Sequence, residues 1–116
     1  MTIKEFKIQC ALGLLSYDMK IKLTHKSSTP KEILTKLSID NTIFVRVRVA
    51  RNPNTPAKVL VKLAKDENWN VRYWVVSNPN TPEKVFEKLS TDVNINVRNW
   101  HKVRVNSTKR YIIPDE

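Results

Sequence analysis

Thr55 to Pro82 reads TPAKVLVKLAKDENWNVRYWVVSNPNTP, a stretch that opens and closes on Thr-Pro. The same landmarks recur on both sides of it at a step of 26 residues: Thr29-Pro30, Thr55-Pro56 and Thr81-Pro82. Val45-Arg46, Val71-Arg72 and Val97-Arg98 keep that step, as do Leu37, Leu63, Leu89 and Asp40, Asp66, Asp92. Asn-Pro-Asn precedes two of the Thr-Pro pairs, at Asn52 to Asn54 and Asn78 to Asn80. Landmarks this different in kind, all in one register, mark an internal repeat, and a period in this range signals a stacked array.

Within a unit, Thr-Pro reads as a helix start. Thr caps free amides, and Pro suits the first helical position. Glu32 completes an expected capping box with Thr29. Apolar residues then follow at helical spacing, at Val59, Leu60 and Leu63 and their counterparts Ile33, Leu34, Leu37 and Val85, Phe86, Leu89. This first helix ends near the Asp. A second segment carries Ile43, Trp69 or Ile95 and then the Val-Arg pair, and the Asn-Pro-Asn turn stops it, because Pro disfavours helix in the residue before it.

Phe44 to Val49 reads F-V-R-V-R-V, which taken alone is a strand alternation. A strand-plus-helix unit would build a horseshoe. The sister segments N-V-R-Y-W-V-V and N-V-R-N-W-H-K-V do not alternate, and Val71, Trp74 and Val75 fit a helical grouping. Two helices per unit are therefore expected, and the fold class is all-α. One domain is expected: a degenerate capping unit at 1–28, repeats at 29–54, 55–80 and 81–106, and a tail at 107–116. Met19 to Leu23 aligns 26 residues before Val45 to Val49, while its helix has lost the Thr-Pro and the spaced Asp. His101 and Lys102 stand where Val49-Ala50 and Val75-Val76 stood, and atypical end units are what an array requires. The stretch Tyr111-Ile112-Ile113-Pro114 is expected to fold back over the exposed end.

The pattern T-P-x-x-V-L-x-x-L-A-x-D, then W-x-V-R-x-x-V, then N-P-N-T-P resembles the leucine-rich repeat variant family, which is similar in turn to HEAT repeats. The resemblance runs from about Met19 to Asn106 and is best in the second unit. It implies a short right-handed α-solenoid of paired helices with the second helices on the inner face. It also implies that Asp40, Asp66, Asp92 and Arg46, Arg72, Arg98 form a structural ladder across neighbouring units. The Cys-rich iron–sulfur segment of some relatives does not carry over to a chain with a single cysteine.

Composition narrows function. Gly occurs once, at Gly13, and a phosphate-cradling loop needs several, which argues against Walker-type and dinucleotide-type sites. Cys10 alone makes no disulfide, structural zinc or iron–sulfur site and reads as a small buried hydrophobe in a reducing compartment. No stretch reaches the roughly 20 apolar residues of a membrane span, and Ile8 to Leu15 lacks a signal-peptide pattern, so a cytoplasmic chain with no membrane partner is expected. His25 and His101 lack both metal-ligand spacing and a nucleophile, and read as surface residues. No cofactor, metal, small-molecule substrate or active site is expected.

The net charge is +10, and it is unevenly placed. The second segments carry Arg or Lys but no Asp or Glu, whereas the first helices are mixed. With the ladder arginines set aside, Arg48, Arg51, Lys102 and Arg104 remain, joined by Lys20 and Lys22 from the worn unit. On an inner face these six form a basic surface that favours a protein with an acidic surface or a nucleic acid. Trp69 replaces aliphatic residues and reads as core. Trp74 and Trp100 align with Arg48 and Lys22; they either pack between units or offer a stacking platform. A non-catalytic binding scaffold for a protein partner is the leading expectation, and a nucleic-acid-binding module is the alternative.

Overall fold

The computed structural model describes residues 1–111, with side chains through Ser107, and the regular elements among those residues are all helices, with no strand. The helices are α1 (Ile3–Ala11), α2 (Tyr17–His25), α3 (Lys31–Leu37), α4 (Ile43–Arg51), α5 (Ala57–Leu63), α6 (Trp69–Ser77), α7 (Glu83–Lys88) and α8 (Ile95–Tyr111), with a 3₁₀ turn at Leu89–Thr91. The body is elongated, 59 × 29 × 21 Å. α8 runs to Tyr111, past the point at Asn106 where the tail was expected to begin. The expected fold-back of residues 112–114 lies outside the described residues.

The alternating segment is helix α4. Its alternation has a packing cause, because α4 is covered on several sides. It lies between α2 and α6 and also touches α3 and α5. Val45, Val49 and Ala50 are fully buried, and Val47 is 7% exposed. More than one stripe of the helix is therefore apolar, which imitates a strand pattern. A single apolar core runs the length of the chain, from Phe6 and Leu23 through Leu60 and Val75 to Val97.

The Thr-Pro pair does not act as expected. The residue flanking the start of α3, α5 and α7 is the Pro itself, and no side chain caps those helices. The Thr hydroxyl turns backwards and donates to a carbonyl six residues earlier. Thr29 reaches Leu23 at 2.6 Å, Thr55 reaches Val49 at 2.7 Å and Thr81 reaches Val75 at 2.6 Å. The second helix has just ended there, so its last carbonyls lack helical partners. The Thr29–Glu32 capping box is absent, and a capping box that the motif reading missed forms at Thr2 and Glu5 in α1.

The Asn-Pro-Asn turns also do more than stop a helix. Asn78 is 2% exposed; its Nδ2 donates to the carbonyls of Ala50 and Asn52 at 2.8 and 2.9 Å, while its Oδ1 accepts the Asn80 amide at 2.8 Å. Asn52 repeats this one step earlier, with the carbonyls of Thr24 and Lys26 and the Asn54 amide. At the next step the residue is Arg104, which donates to the carbonyls of Val76 and Asn78. No proline follows it, and α8 continues.

Two other expectations change. Cys10 is exposed. α1 packs mainly on α3 through Phe6 and Ile3, and Leu12 and Leu14 beyond Cys10 are exposed too, since no described element covers that end. His101 is buried, at 7% exposed, because it occupies the core register of Leu23, Val49 and Val75. Its ring stacks on Phe86 at 4.2 Å between centroids. Its Nε2 has no hydrogen-bond partner among the described residues and lies 3.7 Å from Glu87 Oε1.

Candidate functional site

The carboxylates in register engage the second helices as a series of rungs. Arg46 Nε and Nη2 hold Asp66 at 2.8 and 3.2 Å, and Arg72 holds Asp92 in the same bidentate way at 2.7 and 3.1 Å. Each Arg also donates Nη1 to the carbonyl of the Asp six residues before it, at 2.9 Å to Asp40 and 2.7 Å to Asp66. Each Asp accepts the amide two residues on, at Thr42, Asn68 and Asn94, all at 2.9 Å. The Asp therefore prepares the second helix of its own segment while anchoring the Arg of the preceding one. Burial pushes the Asp92 carboxyl up, but the Arg72 fork and the Asn94 amide outweigh it and hold it below its ordinary range. Asp40 is lowered likewise, with burial opposed by Lys20 and the Thr42 amide. Arg98 keeps its bond to the Asp92 carbonyl at 2.7 Å and has no carboxylate among the described residues.

The six basic residues read as one face do not stay together. Lys20 is the first rung, 2.7 Å from Asp40, in the register of Arg46. Arg104 holds backbone carbonyls. Lys102 is exposed in the register of Thr24, Ala50 and Val76, which are buried, so it projects where the core would continue. Lys22, Arg48 and Arg51 remain on the outward side of α2 and α4. There Arg48 Nη2 meets His25 Nδ1 at 2.7 Å and lies 5.6 Å from the centre of the Phe44 ring. Burial, then the neighbouring Arg51 charge, lower Arg48 from its ordinary value, and a guanidinium so perturbed stays charged at neutral pH.

The same row continues as aromatic surface. Lys22, Arg48, Trp74 and Trp100 occupy one register position on α2, α4, α6 and α8. Arg51 lies over the Trp74 ring at 4.3 Å, a cation–π contact that joins the two halves. Tyr73 meets Trp74 edge-on at 5.2 Å, Trp69 edge-on at 6.2 Å and Trp100 at 5.8 Å. Trp100 Nε1 is buried without an acceptor among the described residues. Between α6 and α8 these rings, with Asn70, Asn96, Asn99 and Val103, line a depression of about 460 Å³.

Sequence reading found Trp74 and Trp100 because they repeat. It missed Tyr73, whose counterparts Val47 and Asn99 share no chemistry with it, and the cleft asparagines, whose common placement at Asn70 and Asn96 was the available signal. Trp69 packs against the core from a partly buried position and also lines this cleft. Among the described residues no cluster of His, Cys, Asp and Glu is placed to hold a metal ion, and no helix is long and apolar enough to cross a membrane. No family model matches the chain, and no curated protein or solved structure matches it at a significant level.

Proposed function

We propose that this chain is a non-catalytic binding module: a short right-handed α-solenoid of the leucine-rich repeat variant kind, similar to HEAT-like arrays. It would comprise the three 26-residue units and the degenerate first one. The Thr, Asn and Asp–Arg hydrogen bonds that recur at that interval support this reading. So does the packing, in which α2, α4, α6 and α8 touch in succession while α3 and α5 rest on the second helices. Closely spaced second helices belong on the inside of a curved stack.

The partner in this reading is a protein with an acidic surface, bound on the outward side of the second helices. The observation that carries it is the row of Lys22, Arg48, Trp74 and Trp100, basic at one end and aromatic at the other, bridged by Arg51 on Trp74. Trp, Tyr and Arg are the residues that dominate protein-binding hot spots. A nucleic acid would want more phosphate contacts than Lys22, Arg48 and Arg51 supply, and open ring faces, one of which Arg51 covers on Trp74.

Fluorescence anisotropy tests the reading with a labelled polyaspartate peptide and a labelled single-stranded oligonucleotide of equal charge, from roughly 50 to 200 mM salt. The Lys22→Glu/Arg48→Glu double variant is expected to weaken peptide binding about tenfold or more, equivalent to ~1.4 kcal/mol. Lys58→Glu/Lys62→Glu on α5 is expected to change it little. Equal losses in both variants, or tighter and steeply salt-dependent oligonucleotide binding, would reject the reading.

A further inference from the structure

Six asparagines hold backbone groups with their side chains, and five, Asn41, Asn70, Asn96, Asn99 and Asn106, are exposed with no side-chain hydrogen bond among the described residues. Asn52, Asn54, Asn78 and Asn80 donate their carboxamides to backbone carbonyls, and Asn68 and Asn94 accept amides at the starts of α6 and α8. Of the five, Asn70, Asn96 and Asn99 all line the aromatic cleft. A carboxamide offers donors and an acceptor together, which matches the main chain of an extended peptide. Asn70 and Asn96 stand at the same register on adjacent helices, whose axes pack about 8–10 Å apart, so they would meet peptide groups about three residues apart, at ~3.3 Å per residue, in an extended chain crossing α6 and α8.

The cleft between them is uncharged and walled by Tyr73, Trp74 and Trp100. Its volume of about 460 Å³ admits one large apolar side chain with room for solvent at the rim. The adjoining end of the row is cationic, with Arg51 on Trp74 and then Arg48 and Lys22. We infer that the α6–α8 cleft anchors an extended segment of the acidic protein partner, one apolar or aromatic side chain in the cleft, its main chain on Asn70 and Asn96, and its neighbouring carboxylates on Arg51, Arg48 and Lys22. This rests on the acidic-partner reading above and adds the bound conformation and an anchor. The arrangement follows a general pattern, in which main-chain hydrogen bonds hold an extended peptide and a pocket selects its side chain.

The test uses a fluorescein-labelled peptide of aspartates around one central phenylalanine, its copy with alanine at that position, and a labelled single-stranded oligonucleotide of equal charge. The phenylalanine peptide is expected to bind about tenfold tighter than the alanine copy. Asn70→Ala/Asn96→Ala removes contacts to the main chain that both peptides share, and is expected to weaken both several-fold without shifting the melting temperature, since both side chains are exposed; unchanged binding of both would overturn the main-chain contact. On binding, the side-chain carboxamide NMR signals of Asn70, Asn96 and Asn99 should move. Equal binding of both peptides, still lost in Lys22→Glu/Arg48→Glu, would overturn the anchor and leave the acidic-partner reading standing. Failure of both peptides at the lowest salt would overturn both. Movement of those carboxamide signals by the oligonucleotide and not the peptides would overturn the inference in favour of a nucleic acid.

Discussion

Replacing Asn78 by Ala removes a buried carboxamide that makes three hydrogen bonds. Its Nδ2 serves the carbonyls of Ala50 and Asn52, and its Oδ1 receives the Asn80 amide, all at 2.8 to 2.9 Å. The Asn52 carbonyl keeps the Thr55 amide at 3.1 Å, whereas the Ala50 carbonyl and the Asn80 amide lose the partners described here. Each bond contributes about 1 kcal/mol net, and each orphaned buried group costs about 1–3 kcal/mol. The expected loss is about 3–4 kcal/mol, a large share of the ~5–15 kcal/mol that a domain of this size possesses. For a chain of this length it corresponds to a melting-temperature drop of roughly 10–20 °C. Urea titration followed by circular dichroism measures it, with Asn80→Ala as the control. Asn80 is exposed and its shorter bond is 2.8 Å to the Pro53 carbonyl, so its removal should cost no more than about 1 kcal/mol. Asn78→Asp keeps the shape but faces a carboxylate with the two carbonyls, and should be worse than Ala at neutral pH. A loss below about 1 kcal/mol for Asn78→Ala, or Asp tolerated better than Ala, would refute the stapling role.

Three further outcomes are expected. Thr55→Ser should be nearly neutral in thermal melts and Thr55→Asp strongly destabilising, because the fully buried hydroxyl donates to Val49; similar stability of the two would restore the helix-capping role. Asp40 and Asp92 both titrate below their ordinary 3.8 in the folded chain, so their stabilisation is full above about pH 4 and lost as pH falls through the folded values. Asp92→Asn should cost about 3 kcal/mol at pH 7, since the side chains of Arg72 and Asp92 are 13% and 7% exposed, and should flatten the acid limb of a stability-against-pH series; an unchanged limb would count against the rung. His101→Val restores the Val49 and Val75 register and removes a buried nitrogen without a partner among the described residues; a gain of about 1 kcal/mol in urea is expected, and a loss would mean the Phe86 stack outweighs it.

The helices and their spacing were legible because apolar period and turn chemistry are local. Val71, Val75 and Leu60 declare a buried stripe without knowledge of any neighbour. The roles of Thr55 and Asn78 were not legible for the opposite reason: their partners are backbone carbonyls, which leave no trace in residue identity. Local propensity reads Thr before Pro as a cap, and the structure gives that hydroxyl to the preceding helix. Charge was read as surface, yet Lys20 is a rung and Arg104 stands in for an asparagine. Cys10 was read from its type, and its exposure depends on which side of α1 meets α3. Of the candidate site, the row of Lys22, Arg48, Trp74 and Trp100 could be aligned by counting, while Tyr73 joined it only through packing.

The long-range side-chain bonds of Asn52, Asn78, Arg46 and Arg72 reach partners 20 to 28 residues away. That narrow span sets which changes of length the gene can tolerate. A one-residue insertion between Arg72 and Asn78 would throw the Arg72–Asp92 rung and the Asn78 staple out of step together. Deleting or duplicating a block of 26 residues would leave each of these donors facing an equivalent carbonyl or carboxylate. Whole-unit gain and loss is thus the mutational path of least resistance for such a chain, and slipped recombination between the near-identical Asn-Pro-Asn-Thr-Pro segments is the natural route to it.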